Sequence, residues 1–368
     1  MVKHYKGFHL LLIFTLAFLA FSCAKKQGVW QGKIETKDGV TIVTNPKEPV
    51  HGSEAISFRE DLSLGGEEAT GEYMFAGVMD IEVDAGDNIY VLDRDEAHIQ
   101  VFDEQGAFIR TIGSPGAGPG EISNPWSFCL KNDTLTVASM DGRMSLFTTG
   151  GEFVRVIQTG FIWIFQLAMD SLGNYYMTVP NMSENAGITT VINKYDQEFK
   201  SLQQMVETPG MDRQGVIKVF RPMLYWEMDK DDNIVYGYPE NYEVNIINTE
   251  GKPYKKITRP CDPIPVSEEE KERYGDAPQS IKFEFSKNHA AYKNFFLDDE
   301  GRVYVRTFEK DLEGTYLYDV FDAEGKFMAK FPLKGSPAFI KRSKLYLSDE
   351  DEGGYPLVKR FHVTWNIK

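Results

Sequence analysis

The chain has 368 residues, of which 42% are hydrophobic and 13% aromatic, enough to bury a large core of strand-forming side chains. Its formal net charge is −15 at pH 7, so a polyanion would meet net repulsion and nucleic acid is not expected as a partner. Length alone does not require two domains, because closed repeat folds routinely exceed the usual domain size.

The N-terminus has the pattern of a secretory leader. A basic start precedes an apolar run from residue 8 to 21, which is shorter than the roughly 20 residues that span a bilayer. Residues 1–22 are therefore predicted to be a signal peptide. Cys23 follows Leu19-Ala20-Phe21-Ser22, a run that resembles the lipobox of bacterial lipoproteins. The resemblance implies that acyl chains on Cys23 anchor the protein in a membrane, and a signal peptide with an unrelated cysteine is the alternative.

Residues 23–55 are interpreted as an anchor segment with a hairpin. The hairpin is predicted between residues 32 and 44, with Lys37-Asp38-Gly39 at its tip. The sequence leaves its place in the fold open.

A sequence pattern of roughly 40 residues or more recurs over residues 56–368, which is typical of a repeat architecture. Each copy has an Asp-led turn or its equivalent, a hydrophobic strand, a polar gap, a second strand and a second turn. Asp suits these turns because its carboxylate accepts the backbone N–H two residues on, and Gly or Asn tolerates positive φ. The first turns begin at Asp84, Leu130, Asp170, Asp229, Asp298 and Lys341.

Six copies with four short strands each predict an all-β fold, a six-bladed β-propeller of four-stranded antiparallel blades. The sixth copy ends with one long strand, residues 358–367, and lacks an outer strand. Residues 56–66 can supply it, because they precede blade 1 as residues 108–113 precede blade 2. The ring is therefore predicted to close between the N-terminal strand and the C-terminal blade. The protein is expected to be a monomer.

An insertion of about residues 260–293 separates blades 4 and 5. Ser267 followed by Glu270 fits a capping box and predicts a short helix. Long connections of this kind lie on one face of a propeller, and that face usually binds ligands.

Cys129 and Cys261 are the other two cysteines. Export would permit a disulfide, but one residue falls in blade 2 and the other follows blade 4, so a bridge would have to cross the molecule. Two unpaired thiols are the preferred interpretation, and a bond between them is the alternative.

Residues 113–126, Gly-Ser-Pro-Gly-Ala-Gly-Pro-Gly-Glu-Ile-Ser-Asn-Pro-Trp, resemble the linker of NHL repeats, and residues 88–93 and 99–103 resemble their hairpins. The match is specific in blades 1 and 2 and looser beyond them. The whole chain resembles six-bladed β-propeller lipoproteins of Gram-negative bacteria, which implies a cell-envelope location. Surface-exported lipoproteins of such bacteria often carry an acidic tract after the lipidated cysteine. Residues 24–27 are basic, so the protein is expected to face the periplasm rather than the cell surface.

The residue four positions before each of the first five of these turns falls near the start of an innermost strand, so these residues are predicted to ring the mouth of the central channel. They are Asp80, Trp126, Gln166, Tyr225 and Asn294. Glu82 and Glu227 lie two residues further in. Oxygen ligands suit Ca²⁺ or another divalent cation, and the candidate metal ligands are Asp80, Glu82 and Glu227. The alternative is that these residues are polar because the channel holds water.

Aromatic residues gather at the same level, before blade 3 and at the start of blade 4. They are interpreted as a platform for sugar rings or a peptide, and packing between blades is the alternative. The candidate ligand-binding residues are Trp126, Trp163, Gln166, Arg221, Tyr225 and Asn294.

The sequence contains no Ser-His-Asp set, P-loop, Cys-x-x-Cys or dinucleotide fingerprint. Lyases that resemble NHL propellers need several His ligands, and few histidines remain after the leader. These observations favour a binding or scaffolding module for a peptide, protein or glycan over an enzyme. The alternative is a lactonase-like, metal-dependent hydrolase or lyase that uses the channel-mouth carboxylates.

Overall fold

The computed structural model describes residues 28–183, 187–210, 216–274 and 282–367. Within them, antiparallel sheets form six blades around a central channel, which confirms the predicted all-β, six-bladed propeller. The predicted signal peptide, residues 1–22, and the predicted lipidation site, Cys23, lie outside the described residues. No helix in the described ranges is long and apolar enough to cross a membrane.

Each blade is a meander whose first strand lies at the channel and whose last strand lies at the rim. Before the first blade come β1 (Lys33–Lys37), β2 (Val40–Thr44), β3 (Ile56–Gly65) and two short 3₁₀ helices, Ser53–Ala55 and Gly71–Tyr73. Blade 1 contains β4 (Val78–Val83), β5 (Ile89–Asp93), β6 (His98–Phe102) and β7 (Phe108–Ile112). Blade 2 contains β8 (Pro125–Lys131), β9 (Thr134–Ser139), β10 (Arg143–Thr148) and β11 (Phe153–Gln158).

The remaining strands continue the pattern, with extra elements in two of the connections. Blade 3 contains β12 (Gln166–Met169), β13 (Tyr175–Ser183), β14 (Gly187–Tyr195) and β15 (Ser201–Pro209), and β16 (Val216–Val219) follows it. Blade 4 contains β17 (Tyr225–Met228), β18 (Ile234–Gly237), β19 (Glu243–Ile247) and β20 (Pro253–Thr258), and α1 (Glu268–Glu272) and β21 (Lys282–Phe285) follow it. Blade 5 contains β22 (Asn294–Leu297), β23 (Val303–Lys310), β24 (Tyr316–Phe321) and β25 (Phe327–Pro332). Blade 6 contains β26 (Ser336–Lys341), β27 (Lys344–Glu350) and β28 (Pro356–Trp365).

The ring closes through β3, which is the fourth strand of blade 6. It runs antiparallel to β28, from Ile56 opposite Trp365 to Gly65 opposite Leu357. This pairing confirms the predicted closure between the N-terminal strand and the C-terminal blade. Because the two strands come from opposite ends of the chain, the blade ties both ends into one core.

The hairpin of β1 and β2 lies on the outer edge of blade 4. β2 pairs parallel with β20, from Thr41 opposite Lys255 to Thr44 opposite Thr258. The Asn45 side chain then accepts a hydrogen bond from the Phe327 backbone N–H at 2.7 Å, which ties the hairpin to blade 5. The hairpin forms where it was predicted, and the structure supplies the place that the sequence left open, since its residues carry no signal for a sheet more than two hundred residues away.

The Asp-led turns form as predicted. Asp84 Oδ1 accepts the backbone N–H of Gly86 at 2.8 Å and of Asn88 at 2.9 Å. Asp170, Asp229 and Asp298 make the equivalent pairs of bonds. In blades 1, 3 and 5 the second carboxylate oxygen also accepts the hydroxyl of the tyrosine six residues on, at 3.1, 3.3 and 2.9 Å. Each turn is thereby fixed to the strand that follows it.

The connections between blades meet on one face, which we call the connection face. Between blades 3 and 5 its described segments are residues 216–224, 259–274 and 282–293. β16 and β21 pair parallel, so the connection after blade 3 is joined to the insertion after blade 4. The predicted capping box forms at the start of α1, where the backbone N–H of Glu270 donates to Ser267 Oγ at 3.2 Å and Glu270 Oε2 accepts the Ser267 N–H at 2.9 Å.

Both described cysteines are free thiols, as the sequence analysis preferred. Cys129 is buried and Cys261 is partly exposed. Burial raises the pKa of the Cys129 thiol well above its usual range, so that side chain behaves as a small apolar group.

Candidate binding site on the connection face

The five residues predicted to ring the channel mouth all lie near the starts of innermost strands. Gln166, Tyr225 and Asn294 are the first residues of β12, β17 and β22, while Trp126 and Asp80 lie one and two residues inside β8 and β4. Their level in the ring was therefore predicted correctly. Which of them share a cavity depends on the loops above them.

Asp80, Glu82 and Glu227 face the channel from opposite sides of the ring, blades 1 and 4. Burial raises the pKa of Asp80 to about 7. Burial and the charge of Asp80 raise the pKa of Glu82 to about 8, against the opposing effect of Lys341. Burial, together with the charges of Asp80 and Glu82, raises the pKa of Glu227 to about 8. The three carboxyls therefore hold protons more strongly than exposed ones, and they repel one another when ionised.

No three His, Cys, Asp or Glu side chains in the described parts of the chain are placed together to hold a metal ion. Glu82 and Glu227 line a small channel cavity of about 180 Å³ with Gln166 and Lys131. The metal ligands predicted from the sequence thus share the channel but do not form a group of three ligands. Binding of Ca²⁺ or another divalent cation stays a prediction.

An apolar cavity of about 300 Å³ opens between blades 3 and 4 on the connection face. We call it the apolar cavity. It contains four of the six predicted ligand-binding residues. Its lining is Trp126, Phe165, Gln166, Thr178, Pro180, Ile188, Thr190, Pro209, Arg221, Met223, Leu224 and Tyr225.

Hydrogen bonds hold the polar groups of this cavity in place. Gln166 Nε2 donates to the Trp226 carbonyl at 2.5 Å, and the buried Trp226 indole donates to Thr178 Oγ1 at 2.5 Å. Arg221 Nη1 donates to the Gly210 carbonyl at 3.0 Å, which directs the guanidinium across the cavity rim. The result is a mostly apolar recess with a few fixed polar groups, the composition typical of ligand sites.

A second cavity of about 480 Å³ adjoins the first under the insertion, and we call it the insertion cavity. Arg221, Met223 and Tyr225 line both cavities, so the two are neighbours with a common wall. The other residues of its lining are Ile217, Lys218, Val219, Phe220, Pro239, Glu270, Arg273, Tyr274, His289, Ala290, Tyr292, Lys293, Phe308 and Tyr316.

Aromatic rings dominate the walls of the insertion cavity. Phe220 contacts the His289 ring edge to face at 5.2 Å, and His289 stacks on Phe308 at 4.2 Å. Phe220 has a backbone φ of 62°, a left-handed conformation that is uncommon for a bulky residue. Such strain is retained where the surrounding structure fixes the residue, and it clusters at functional sites.

Trp163 and Asn294, the other two predicted ligand-binding residues, line neither cavity. Trp163 lies half-buried in the connection before blade 3, also with a positive φ of 63°. Asn294 pairs with Arg306 in the sheet of blade 5. Four lining residues of the insertion cavity were not predicted from the sequence, namely Phe220, His289, Lys293 and Tyr316. Their one signal was the insertion itself, whose length predicted a binding face but no particular residue.

Residues 37–252 match the family described as DUF5128, a 6-bladed beta-propeller. The chain belongs to this family. The matched range of this DUF5128 propeller includes the four predicted residues of the apolar cavity, whereas Lys293 and Tyr316 lie beyond it. No curated protein matches the chain in sequence.

Solved structures share the fold of this DUF5128 propeller at low sequence identity. A Bacteroides fragilis protein thought to be exported matches with a TM-score of 0.58 and 12% identity, over 89% of this chain and 100% of that one. A DUF4221 family member from Bacteroides vulgatus matches with a TM-score of 0.51 and 13% identity, over 85% and 99%. A gluconolactonase from Xanthomonas campestris reaches a TM-score of 0.47 at 11% identity, over 79% and 88%. The first two likenesses show a shared fold, and none of the three carries a ligand or reaction over to this chain.

Proposed function

We propose that the protein is a binding module of the cell envelope, which holds a peptide, protein or glycan ligand in the two adjoining cavities of its connection face. The observation that carries this proposal is the apolar cavity. It gathers Trp126, Gln166, Arg221 and Tyr225 from blades 2, 3 and 4 into one recess of about 300 Å³. Ligand pockets typically combine an apolar lining with a few fixed polar groups, and this recess has both.

The shared wall extends the site. Because Arg221, Met223 and Tyr225 belong to both cavities, a ligand longer than either recess can occupy both of them. Tyr225 would lie at the centre of such a ligand. The wall residue Met223 is exposed, so the two recesses are open to solvent along their common edge.

Binding is tested by thermal melts of the protein from Cys23 onward against a panel of oligosaccharides and envelope-derived peptides. A ligand present at about 100 times its Kd adds about 2.7 kcal/mol to the free energy of unfolding. Trp126→Ala should reduce this shift, because it removes an aromatic wall of the apolar cavity. Leu172→Ala is the matched control, since Leu172 is an exposed apolar residue in the first turn of blade 3, away from the connection face. Equal shifts in the wild type and Trp126→Ala would reject the cavity as the site.

The envelope location is part of the same proposal. We infer export from the leader-like N-terminus and lipid anchoring from Cys23, with the propeller facing the periplasm because residues 24–27 are basic. Metabolic labelling with a radioactive fatty acid should mark the wild type and not Cys23→Ala. Digestion of the protein by proteinase added to intact cells would place it on the outer surface instead.

A further inference from the structure

A cluster of cations surrounds one tyrosine at the insertion cavity. Arg306 Cζ lies 4.4 Å from the centroid of the Tyr316 ring, Lys310 Nζ lies 4.7 Å from it and Lys293 Nζ lies 5.7 Å from it. Lys293 and Tyr316 themselves line the cavity. We call Lys293, Arg306 and Lys310 the cation cluster.

The sheet of blade 5 brings these residues together. Lys293 directly precedes β22, and the first residue of β22, Asn294, lies opposite Arg306 on β23. Lys310 ends β23 opposite Tyr316, which begins β24. The cluster is therefore fixed by strand register at the connection-face end of the blade, and it does not depend on a flexible loop.

None of the three cations has a carboxylate partner among the described residues, although the chain has 55 acidic and 40 basic residues. The other cations that lie over aromatic rings in the described ranges all have one. Lys194 pairs with Asp170, Arg259 with Asp319, Arg302 with Asp298, and Lys326 with Glu324. In an acidic protein whose other cations over aromatic rings are neutralised, three cations without a carboxylate partner in the described ranges favour an anionic ligand.

Two further observations favour an anionic ligand here. Arg306 Nε is buried and has no hydrogen-bond partner among the described atoms. A buried donor of this kind costs free energy unless a partner satisfies it. Burial and the charge of Arg306 also lower the pKa of Lys293, and a bound anion would oppose both effects.

The aromatic walls of the insertion cavity indicate which kind of ligand would carry the anionic group. Phe220, Tyr225, Phe308 and Tyr316 are all partly exposed around a recess of about 480 Å³, and Tyr274 closes one side. Partly exposed rings favour a ligand with a compact, partly apolar ring of its own, such as a sugar, whose polar groups remain near water. A carboxylate or sulfate on that sugar would reach the cation cluster beside Tyr316.

We propose that the insertion cavity binds an acidic saccharide, whose ring packs on the aromatic walls and whose carboxylate or sulfate pairs with Lys293 and Arg306. This inference rests on the proposed binding function and adds its ligand class. Arg221, on the wall shared with the apolar cavity, is a further cation without a carboxylate partner among the described residues, and it extends the positive surface towards the rest of the saccharide.

The test is calorimetric titration of the protein from Cys23 onward with a short oligogalacturonate and with its neutral methyl ester. A sulfated chondroitin disaccharide and its unsulfated counterpart form the second pair. The acidic member of at least one pair should bind about tenfold or more tightly than the neutral member, and the difference should shrink at high salt. Lys293→Met and Arg306→Gln should each remove most of this preference. Lys200→Met is the control, because Lys200 is exposed at a second turn of blade 3.

The outcomes separate this inference from the function it rests on. Equal binding of the acidic and neutral members would overturn the acidic-ligand inference and leave the binding module in place. A preference that persists in both Lys293→Met and Arg306→Gln would overturn the assignment to the cation cluster. If an acidic peptide binds while none of the sugars does, and Lys293→Met abolishes that binding, the assignment of a saccharide as the ligand is overturned. Failure of all four sugars to bind would also overturn the saccharide assignment. The thermal melts of Trp126→Ala would still decide whether the protein is a binding module. Melting curves of each variant without ligand check that it is folded. Because Lys293→Met and Arg306→Gln are independent substitutions, the test remains valid if one of them fails to fold.

Discussion

Replacing Glu227 by Gln should make the propeller's stability less dependent on pH. Glu227 faces Asp80 and Glu82 across the channel, and burial with these charges raises its pKa from 4.5 to about 8. The folded state therefore holds the Glu227 proton at pH values where the unfolded state has lost it. Between the two pKa values the native state binds more protons, so the free energy of unfolding falls as the pH rises. Gln has the same shape and carries no titrating proton, so the variant lacks this loss.

The size of the effect follows from the same pKa values. A rise of the pKa from 4.5 to about 8 lowers the free energy of unfolding by a total of about 5 kcal/mol at high pH. About 2 kcal/mol of this loss occurs between pH 5 and pH 7. Glu227 is partly exposed to the channel, whose solvent screens its charge. We therefore expect the stability of Glu227→Gln relative to the wild type to rise by about 1 to 2 kcal/mol between pH 5 and pH 7.

Urea denaturation followed by tryptophan fluorescence measures this difference, at pH 5, 6, 7 and 8. EDTA is present throughout so that no divalent cation neutralises the channel carboxylates. Glu313→Gln is the matched control, since Glu313 lies exposed in a tight turn of blade 5 and loses the same charge. A stability difference between Glu227→Gln and the wild type that stays constant from pH 5 to pH 8 would refute the reasoning. So would a variant that becomes relatively less stable as the pH rises.

Three other predictions follow from the packing between strands and blades. Tyr304→Phe should lower the free energy of unfolding by about 1 to 2 kcal/mol, because it removes the buried hydroxyl that donates to Asp298 at 2.9 Å. Asp319→Ala should lower it by about 3 to 5 kcal/mol, since the almost fully buried Arg259 guanidinium, 2.8 Å away, then keeps only the more exposed Glu309, at 3.3 Å, as a carboxylate partner. Both are measured by urea denaturation. Cys129 should resist iodoacetamide in the native protein and react after unfolding, because its thiol is buried and its pKa is raised, and mass spectrometry of tryptic peptides detects the modification.

Each of these predictions has an internal control. Tyr355→Phe changes an exposed tyrosine, and Asp262→Ala breaks the exposed pair with Lys47, so neither should alter the denaturation midpoint appreciably. Cys261 is partly exposed and should be alkylated before Cys129. A Tyr304→Phe or Asp319→Ala variant as stable as the wild type would contradict the packing described for blade 5. Native alkylation of Cys129 at the rate of Cys261 would show that blade 2 opens readily.

The sequence by itself determined the local structure and, through repetition, the architecture. An Asp-led turn is decided within about six residues, because the carboxylate bonds to its own following backbone, and every copy from Asp84 to Asp298 formed as expected. The capping box at Ser267 is equally local. Ring closure could also be predicted, because β28 lacked an outer neighbour and residues 56–65 were the free strand of matching pattern. The six-bladed ring follows from these repeats.

Only the tertiary structure decided which of the ring residues share a site. The sequence placed Trp126, Gln166, Tyr225 and Asn294 at one level, yet the first three line the apolar cavity and Asn294 does not. The cavity is lined from blades 2, 3 and 4 and the connections between them, whereas Asn294 begins the first strand of blade 5. The contacts between loops determine which residues line each cavity, and these contacts join segments that are far apart in the chain.

The cation cluster shows the same limit most clearly. Lys293, Arg306 and Lys310 look like ordinary charged residues of a chain that holds many carboxylates. Strand register places them around Tyr316, and no carboxylate of the described residues forms an ion pair with them. Whether a charge has a partner depends on distances in space, because the interaction between two charges weakens as they move apart. These distances bear no fixed relation to separation along the chain. The sequence therefore determined the blades, and the folded ring decided which charges of the described residues form ion pairs with one another.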